Sequence, residues 1–478
     1  MCGFVGVIGV DHAALMLSVG LQAIQHRGQD AAGIGTYDDV SGRFQVYKDL
    51  GMVTQALPAE VISAFPGGTG IAHVRYPTLG GGERGDAQPF LTRRPGILMA
   101  HNGTVTNLPQ LESELRENGL HILSRCDSEP ILLTLADELT QVRRAHHTLD
   151  DVALAVGRLM KRVRGSYSVV SVLEVDGRWS LLAFRDPSAI RPGVFGKRAD
   201  GAWMVASETV ALDALGFKRE GFLPAGSIVV LRKNEEPIIR AVADSQPRHC
   251  VFERIYFARA DSVMEDGRVN SVRWRLGQCL AREWESKGLE ADVIVPVPDT
   301  SRPAAAAMAE YLEIPNREGF IKNRYSGRTF IMPDQPTRDA ALRLKLNPID
   351  EVFTDKRVLL VDDSIVRGST MRRIVKMVRE FQPKAVHLGI FSPPVRFPCF
   401  LGIDMPSREE LIAGSLEVAG LERRLAMALG ADSLTYLSQE GLSSVGGEHM
   451  CAACFSGDYP VIVSDEEKAY IQKSRRAC

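Results

Sequence analysis

The sequence predicts a chain in two parts, an α+β half followed by an α/β half. In the first half, short strand patterns alternate with turns and only two helical patterns interrupt them, which is typical of hairpin-rich sheets. From about residue 285, short apolar runs are each followed by a loop and a helical pattern, which is typical of an open, mostly parallel sheet. The polar stretch 233–249 separates the two textures, so we expect domains at 2–235 and 250–478.

Eight strand patterns are expected in the first half. In chain order they are CGFVGVIGV, GRFQVYKDL, GTGIAHVRYP, GILMAHNGTV, YSVVSVLEV, WSLLAFRD, WMVASE and SIVVLRK. The two helical patterns are LMLSVGLQAIQHR and SEPILLTLADELTQVRRA. In the second half, DVIVPVPD precedes the helical SRPAAAAMAEYL, RVLLVDDS precedes STMRRIVKMVREF, and AVHLGIFSPP is a further buried strand.

Composition narrows the class of protein. The chain has 478 residues with 57 basic against 59 acidic side chains, and no Lys/Arg block predicts a nucleic-acid or membrane surface. No stretch approaches the roughly 18 apolar residues of a spanning helix, and the start lacks the basic residues of a secretory signal. We therefore expect a cytoplasmic protein whose eight cysteines are reduced thiols, metal ligands or catalysts.

The second residue is a cysteine directly before a predicted strand. Because residue 2 is small, we expect removal of Met1, which would place a free α-amine on Cys2. Such an amine titrates near ~8 and can accept the thiol proton, so the nucleophile needs no histidine. The alternative is that Cys2 is a small buried hydrophobic residue at a strand start.

Four further segments place polar residues at the end of apolar runs. They are HRGQDAAG (26–33), AHVRYPT (72–78), AHNGTVTN (100–107) and RCDSEPIL (125–132). Each has an ordinary explanation by itself: Asn102 and Gly103 suit a hairpin turn, Arg75 a surface charge, and Asp127 a helix N-cap.

Taken together with Cys2, these segments resemble the glutaminase domain of class II glutamine amidotransferases, which are amino-terminal-nucleophile hydrolases, over about residues 2–230. The resemblance implies an αββα sandwich in which Cys2 attacks the side-chain amide of glutamine. It also implies that Asn102 and the N–H of Gly103 form the oxyanion hole, and that Arg27 and Gly28 belong to the loop that lines the thiol. Arg75 would bind the α-carboxylate of glutamine, and Asp127 would accept hydrogen bonds from its ammonium group.

The run RVLLVDDSIVRGST (357–370) combines a buried strand, two adjacent carboxylates and a glycine-containing turn that opens a helix. The N–H groups of such a turn bind a phosphate monoester, and Asp362 and Asp363 can accept hydrogen bonds from a ribose diol. A plain strand–loop–helix crossover is the alternative. The run resembles the phosphoribosylpyrophosphate (PRPP) fingerprint of type I phosphoribosyltransferases, which implies that fold for the second half.

Two other segments belong to the same resemblance. PVPDTSRP (296–303) resembles the pyrophosphate loop, and KNRYSGRTFIMPDQPTR (322–338) resembles a loop that closes over substrate, although a solvated basic face would look alike. The implied PRPP-binding residues are Asp299, Thr300, Ser301, Asp362, Asp363, Ser364, Arg367, Gly368, Ser369 and Thr370. The implied magnesium ligands are Ser301, Asp362 and Asp363, and the cations of the closing loop are Lys322, Arg324, Arg328 and Lys345.

The order of the two halves resembles the family of glutamine-dependent PRPP amidotransferases. This implies that ammonia from glutamine passes through an internal channel and displaces pyrophosphate from PRPP, giving 5-phosphoribosylamine in the first step of de novo purine synthesis. It also implies Mg²⁺ on the diphosphate, a homotetramer and inhibition by purine nucleotides. Two alternatives are a class II amidotransferase making glucosamine phosphate or asparagine, against which 357–370 argues, and a PRPP-sensing protein with an inactive glutaminase domain.

Four cysteines remain for a possible metal site: Cys250, Cys399, Cys451 and Cys454. Four thiolates suit either a tetrahedral zinc ion or an iron–sulfur cluster, and buried structural cysteines are the ordinary alternative. The contexts of these cysteines resemble the cluster-bearing branch of the family, which implies that all four bind a 4Fe-4S cluster. That branch often carries a propeptide before the nucleophile, whereas here we expect only Met1 to be removed.

Overall fold

The computed structural model describes residues 2–77, 81–142, 144, 146–323, 346–447 and 449–476. Three predicted cations of the closing loop, Arg324, Arg328 and Lys345, lie outside the described residues. Among the described residues, no helix combines the length and apolar composition needed to cross a membrane.

The first half contains two stacked antiparallel sheets. Their strands are β1 (Gly3–Ile8), β2 (Ala31–Asp38), β3 (Arg43–Leu50), β4 (Thr69–Arg75), β5 (Phe90–Arg93), β6 (Gly96–Val105), β7 (Gly165–Val175), β8 (Arg178–Arg185), β9 (Val194–Lys197), β10 (Trp203–Ala206), β11 (Lys218–Phe222), β12 (Ser227–Leu231) and β13 (Ile238–Ala241). One sheet has the order β11-β9-β10-β1-β4-β2-β3 and the other β13-β12-β8-β7-β6-β5.

Helices cover the outer faces of these sheets. Those on the first sheet are Ala13–Ala23, Val53–Ala56, Ala59–Ser63 and Thr209–Ala214, and those on the second are Leu108–Glu117, Ser128–Gln141 and Leu149–Arg162. Alternating residues of the strands, including Phe4, Ile71, Leu98 and Val170, form the apolar layer between the sheets. The predicted αββα sandwich is therefore confirmed.

The second half is built on a four-stranded parallel sheet, as predicted. Its strands are β17 (Val293–Pro296), β20 (Arg357–Asp362), β21 (Ala385–Ile390) and β22 (Ser433–Tyr436), in the order β17-β20-β21-β22. Helices Val269–Glu285 and Arg302–Leu312 cover one face, and helices Ser369–Arg379 and Leu421–Leu429 cover the other. Because all four strands run in one direction, the loops at their carboxyl ends meet at one edge.

Short elements complete the chain. The strands are β14 (His249–Cys250), β15 (Val263–Met264), β16 (Gly267–Arg268), β18 (Phe320–Lys322), β19 (Leu346–Pro348) and β23 (Met450–Cys451). The helices are Asp350–Phe353, Gln439–Gly446, Ala453–Ser456 and Asp465–Arg476, and single turns span Gln25–Arg27, Arg84–Asp86 and Glu253–Phe257. The last helix packs on the first half, where Ile471 is fully buried and Glu467 forms a 2.6 Å ion pair with Arg164.

Some elements were not predicted. Strand β2 has the sequence AAGIGTYD, whose alanines and glycines lack the branched side chains that identify a strand. Helix Leu149–Arg162 carries a clear start signal, because the side chains of Thr148 and Asp151 form a capping box. Strand β13 lies inside the polar stretch predicted as the boundary and pairs with β12, so the exact boundary stays a prediction.

Glycine at position 277 allows helices Val269–Glu285 and Arg302–Leu312 to approach closely. A Cβ at this position would lie 2.6 Å from Cα of Ala304. We expect Gly277→Ala to lower the free energy of unfolding by about 1–3 kcal/mol, because overpacking against backbone outweighs the gain in helix propensity. Denaturant unfolding measures this, with Gly85→Ala as control, where an added Cβ meets nothing within 4 Å. An equal or higher stability for Gly277→Ala would contradict the packing described.

Candidate active sites and a cysteine-lined cavity

Strand β1 places Cys2 in the middle of the first sheet. Gly3 pairs with Val74 of the antiparallel strand β4, so Cys2, one residue earlier, lies at the level of Arg75. The Cys2 thiol donates to the carbonyl of Tyr76 at 3.5 Å and is partly exposed. The sulfur therefore lies where β4 ends. The alternative prediction, that Cys2 is a fully buried hydrophobic residue, is wrong because the residue is partly exposed.

The turn Gln25–Arg27 and Gly28 hold the backbone around Cys2. Arg27 is fully buried, and its Nε donates to the carbonyl of Cys2 at 3.0 Å. At Gly28, a Cβ would lie 2.7 Å from the backbone nitrogen of Arg75, so only glycine allows this loop to pack on β4. The guanidinium of Arg27 also binds the carboxylates of Glu208 and Glu253.

Asn102 and Gly103 lie inside β6, not in a hairpin turn. His73 of β4 is the register partner of Phe4 in β1, and its imidazole lies 3.2 Å from the carbonyl of His101, so β6 meets β4 one residue before Asn102. Asn102 is 1% exposed, and neither polar atom of its side chain has a hydrogen-bond partner in the part of the chain that is described. A buried amide of this kind is costly unless it binds something else.

Arg75 and Asp127 provide opposite charges next to Cys2. Burial by itself lowers the pKa of Arg75, but Cys126, Cys2, Asp86 and Asp127 raise it, so the net shift is upward and the guanidinium stays charged. Arg75 Nη1 donates to the carbonyl of Gly81 at 2.6 Å. Asp127 does not cap the helix that follows it, because its Oδ2 accepts the N–H of Val105 at 3.0 Å.

Three residues of this site were not predicted. Gln88 Oε1 accepts the N–H of His101 at 2.7 Å and the hydroxyl of Ser128 at 3.1 Å, so it holds β6 against the helix that begins at Ser128. Asp86 accepts the N–H of Arg125 at 2.7 Å. Cys126 is buried between Arg75 and Asp127, and burial raises its pKa to about 12. The sequence signal for all three is weak, because they lie in loops without hydrophobic periodicity.

In the second half, the structure brings together the two predicted loops. Strand β17 pairs with β20, so the loop after Pro296 lies beside the loop after Asp362. Asp363 accepts hydrogen bonds from the hydroxyls of Thr300 and of Ser364, the latter at 2.5 Å. Burial raises the pKa values of both Asp362 and Asp363, and repulsion from Asp363 raises that of Asp362 further. A cation or hydroxyl donors would relieve this accumulation of negative charge.

The helix Ser369–Arg379 opens at this edge. Gly368 caps it with a φ of 75°, and a Cβ there would clash with Ile412. Ser369 and Thr370 form the first turn, where unpaired N–H groups and the helix dipole favour an anion. Arg367 lies at the rim and binds Glu410 at 3.1 Å.

The pyrophosphate-loop residues make internal contacts. Asp299 binds Lys322 at 2.6 Å and Arg302 at 3.5 Å. The hydroxyl of Ser301 donates to the carbonyl of Val297, which leaves the lone pairs of its oxygen for a ligand. Lys322, the one closing-loop cation within the described residues, thus lies at the predicted diphosphate position.

The four cysteines predicted as metal ligands line one cavity together with apolar side chains such as Ile403 and Met405. Within the described ranges, no group of three or more His, Cys, Asp or Glu is placed to hold a metal ion. Backbone pairing aligns Cys250 with Cys451, and the N–H of Leu401 lies 3.3 Å from Cys399 Sγ. Burial raises the pKa of Cys451 to about 12, so a thiolate here requires a positive partner. By donor type, the four sulfurs that line this cavity suit an iron–sulfur cluster or a zinc ion, although the described side chains are not arranged around a metal position.

Comparisons with known proteins identify both halves of the chain. A family model described as a glutamine amidotransferase domain matches residues 79–214, and one described as a phosphoribosyl transferase domain matches residues 276–392. The chain is thus a glutamine amidotransferase joined to a phosphoribosyltransferase.

The relatives give the particular family. The amidophosphoribosyltransferase of Pseudomonas aeruginosa is 41% identical, covering 100% of this chain and 96% of the relative, and that of Escherichia coli is 42% identical, covering 91% and 86%. The solved glutamine PRPP amidotransferase from B. subtilis, complexed with ADP and GMP, is 36% identical with a TM-score of 0.86 and covers 97% of this chain and 98% of that one. The chain belongs to the amidophosphoribosyltransferase family.

The two thiols of the glutaminase site should differ in reactivity. Because burial raises the pKa of Cys126 to about 12, this thiol stays protonated at pH 8 and is shielded from reagents. Cys2 is partly exposed. We expect iodoacetamide at pH 8 to modify Cys2 and leave Cys126 free, as measured by peptide mass spectrometry. Faster modification of Cys126 than of Cys2 would contradict this arrangement.

Proposed function

We propose that this chain hydrolyses glutamine at Cys2 and transfers the ammonia to PRPP, giving 5-phosphoribosylamine, glutamate and pyrophosphate, as the first step of purine synthesis. The observation that carries the proposal is the buried amide of Asn102, which has no hydrogen-bond partner among the described residues and follows His101, the residue where β6 meets β4. A buried amide donor held in this way suits the stabilisation of an oxyanion.

The glutaminase reaction follows from the residues around Cys2. After removal of Met1, the α-amine of Cys2 accepts the thiol proton, and the sulfur attacks the side-chain carbonyl of glutamine. Asn102 Nδ2 and the N–H of Gly103 stabilise the negative oxygen. The protonated amine returns the proton to the leaving nitrogen, so ammonia departs and a thioester remains. Water then hydrolyses the thioester to glutamate and restores the Cys2 thiol.

Substrate binding is assigned to the two charged groups beside the thiol. Arg75 stays charged in its buried position, which suits a bidentate contact with the α-carboxylate of glutamine. Asp127 would accept the substrate ammonium at Oδ1, which otherwise has only a weak contact from Cys126 Sγ at 3.9 Å, while Oδ2 accepts the N–H of Val105. Arg27 and Gly28 shape the loop around the thiol and are assigned a supporting role.

In the second half, the helix that begins at Ser369 would hold the 5-phosphate, with Ser364, Gly368 and Thr370 as further donors. The carboxylates of Asp362 and Asp363 would accept hydrogen bonds from the ribose hydroxyls. Asp299, Thr300 and Ser301 lie beside them and, with Lys322, would hold the diphosphate until ammonia displaces it from C1. Roles for Arg367 at the rim, and for Arg324, Arg328 and Lys345, follow from the family resemblance alone.

Mg²⁺ is proposed as a cofactor, held on the diphosphate near Asp362, Asp363 and Ser301. The raised pKa values of the two adjacent carboxylates support this assignment, because a divalent cation favours their ionised forms. When bound, the cation neutralises the charge of the leaving diphosphate.

A 4Fe-4S cluster is proposed in the cavity of Cys250, Cys399, Cys451 and Cys454, with zinc as the competing occupant. The shared cavity and the N–H of Leu401 directed at Cys399 support the cluster. When bound, the cluster stabilises the four thiolates and joins the carboxyl-terminal segment to the domain junction.

Regulation and assembly are further parts of the proposal. The B. subtilis relative was solved with ADP and GMP, which supports inhibition of this chain by purine nucleotides. A homotetramer and a cytoplasmic location stay predictions from the family resemblance.

The proposed function is tested by glutamate release from glutamine with and without PRPP. We expect wild type to show PRPP-dependent glutaminase activity and Cys2→Ala to lose it, because the neighbouring thiol of Cys126 is buried and stays protonated. Cys2→Ala should keep ammonia-dependent phosphoribosylamine formation, since the second site does not use this thiol.

A matched variant separates nucleophile from oxyanion donor. Asn102→Ala keeps Cys2 and should lower the glutaminase kcat by about 10²–10³-fold. If wild type binds PRPP but neither hydrolyses glutamine nor forms phosphoribosylamine, the inactive PRPP-sensing alternative is correct.

The occupant of the cysteine-lined cavity is tested by iron, sulfide and zinc analysis after anaerobic purification. We expect about four irons and four sulfides per chain, as a 4Fe-4S cluster requires. Cys451→Ser should lose the metal and lower the unfolding temperature, because the cluster joins distant segments. Stoichiometric zinc would show that the cluster assignment is wrong.

A further inference from the structure

Glu253 lies between two fully buried arginines at the junction of the two halves. Its carboxylate accepts from Arg27 at 2.8 and 3.2 Å and from Arg191 at 3.2 Å, and Glu253 itself is 1% exposed. Neither the family motifs nor the proposed mechanism gives this residue a role. A carboxylate so far from water is tolerated only because both cations are adjacent.

On one side, the Glu253 contact reaches the nucleophile through Arg27. The same guanidinium whose Nη2 binds Glu253 donates through Nε to the Cys2 carbonyl at 3.0 Å. Its position is restricted further by the ring of Phe257, whose centroid lies 4.8 Å from Arg27 Cζ. Since the guanidinium is planar, rotation of its Nη end moves Nε as well. Glu253, together with Glu208, which binds Nη1 of the same guanidinium, therefore helps to fix where the Cys2 peptide group is held.

On the other side, the contact reaches the cysteine-lined cavity through Arg191. Arg191 lines that cavity with Cys250 and Cys399. Glu253 itself follows Cys250 by three residues, at the start of the turn Glu253–Phe257. Cys250 and Phe252 of the cavity lining thus lie in the same short segment as the carboxylate of Glu253.

The oxyanion residues are tied to the same wall independently. The hydroxyl of Ser168, which pairs with Asn102 across the sheet, donates to the carbonyl of Arg191 at 2.9 Å. The hydroxyl of Ser166 donates to the carbonyl of Leu401 at 2.8 Å, and its own carbonyl packs directly on Gly103. Nucleophile and oxyanion donors are therefore positioned from one common support.

We propose that Glu253 is a positioning residue of the glutaminase reaction: held by Arg191 at the cavity wall, it orients Arg27 and through it the Cys2 peptide, so that the thiol faces the amide of Asn102. This inference rests on the proposed function. It concerns the alignment of attack, so it affects the kcat for glutamine and not the ammonia-dependent reaction of the second half.

The test uses the full-length holoenzyme with Glu253→Asp. This variant keeps the charge, so Arg27 and Arg191 stay paired, but it withdraws the carboxylate by one methylene. We expect the glutaminase kcat to fall by about 10–10²-fold, because misplacement by about 1 Å can cost 10²-fold. KM for glutamine should stay within ~2-fold, since Arg75 and Asp127 bind the substrate. Ammonia-dependent phosphoribosylamine formation should be unchanged.

A second measurement follows the thiol directly. The rate at which a diazoketone analogue of glutamine alkylates Cys2 should fall in parallel with kcat. Glu253→Gln removes the charge and should lower both kcat and the alkylation rate more strongly. If Glu253→Gln does not fold, the result for Glu253→Asp is the test of the inference. The matched control is Glu138→Gln, which also removes a buried carboxylate, here one that lies 2.8 Å from Arg162. Glu138 contacts neither Arg27 nor Arg191 in the ion pairs described, so both rates should stay unchanged.

The outcomes are distinct. Glu253→Asp with wild-type kcat and wild-type alkylation overturns the inference while the proposed function stands. Loss of both the glutamine-dependent and the ammonia-dependent reaction in Glu253→Asp assigns Glu253 a purely structural role, which also overturns it. Absence of glutamine hydrolysis in wild type with PRPP present contradicts the proposed function itself.

Discussion

Four buried charges at the junction of the two halves, Arg27, Glu208, Glu253 and Arg191, hold the structure around Cys2. Arg27 binds both carboxylates, and Arg191 shares Glu253 with it. Removing four ionised groups from water costs several kcal/mol for each ion, and only complete mutual pairing offsets that cost. The pairs therefore work as a unit, because losing one charge leaves its partners buried without compensation. The Glu253 pairs also join the two halves of the chain, so the glutaminase site depends on the second half.

In each half, strand pairing brings the side chains of the candidate active site together. In the first half, antiparallel pairing of β1 with β4 brings Cys2 beside Arg75, and the side chain of Asn102 in β6 has no hydrogen-bond partner in the described ranges. In the second half, parallel pairing of β17 with β20 brings two loops together, and the carboxylates of Asp362 and Asp363 accumulate at one edge. Each site thus holds a group in an unfavourable setting, a buried amide in the first half and two buried, mutually repelling carboxylates in the second. Such groups cost stability, and substrates or cations that bind there recover it.

Much of the fold could be predicted because hydrophobic periodicity is a local property. The strand patterns of the two halves and the helix that begins at Ser128 follow from it directly. Strand β2 could not be predicted in this way, because glycine and alanine have no local preference for a strand. These residues are extended because β2 pairs with β3 and β4. The site motifs were recognised because each sits where an apolar run ends. Gln88, Cys126 and Glu253 were not, since each acquires its role from a contact with residues distant in the chain.

The sequence by itself determined the order of the two halves and the family, and it predicted which side chains carry the chemistry, because these depend on residue types at short spacings. Tertiary structure decided that Asn102 lies inside a strand and not a turn, and that Asp127 faces β6 instead of capping its helix. It also decided that Arg27, 226 residues from Glu253 in the chain, binds this carboxylate behind Cys2. A spacing of that length carries no local signal. Only the packing of the two halves, with water excluded between them, makes those charges neighbours.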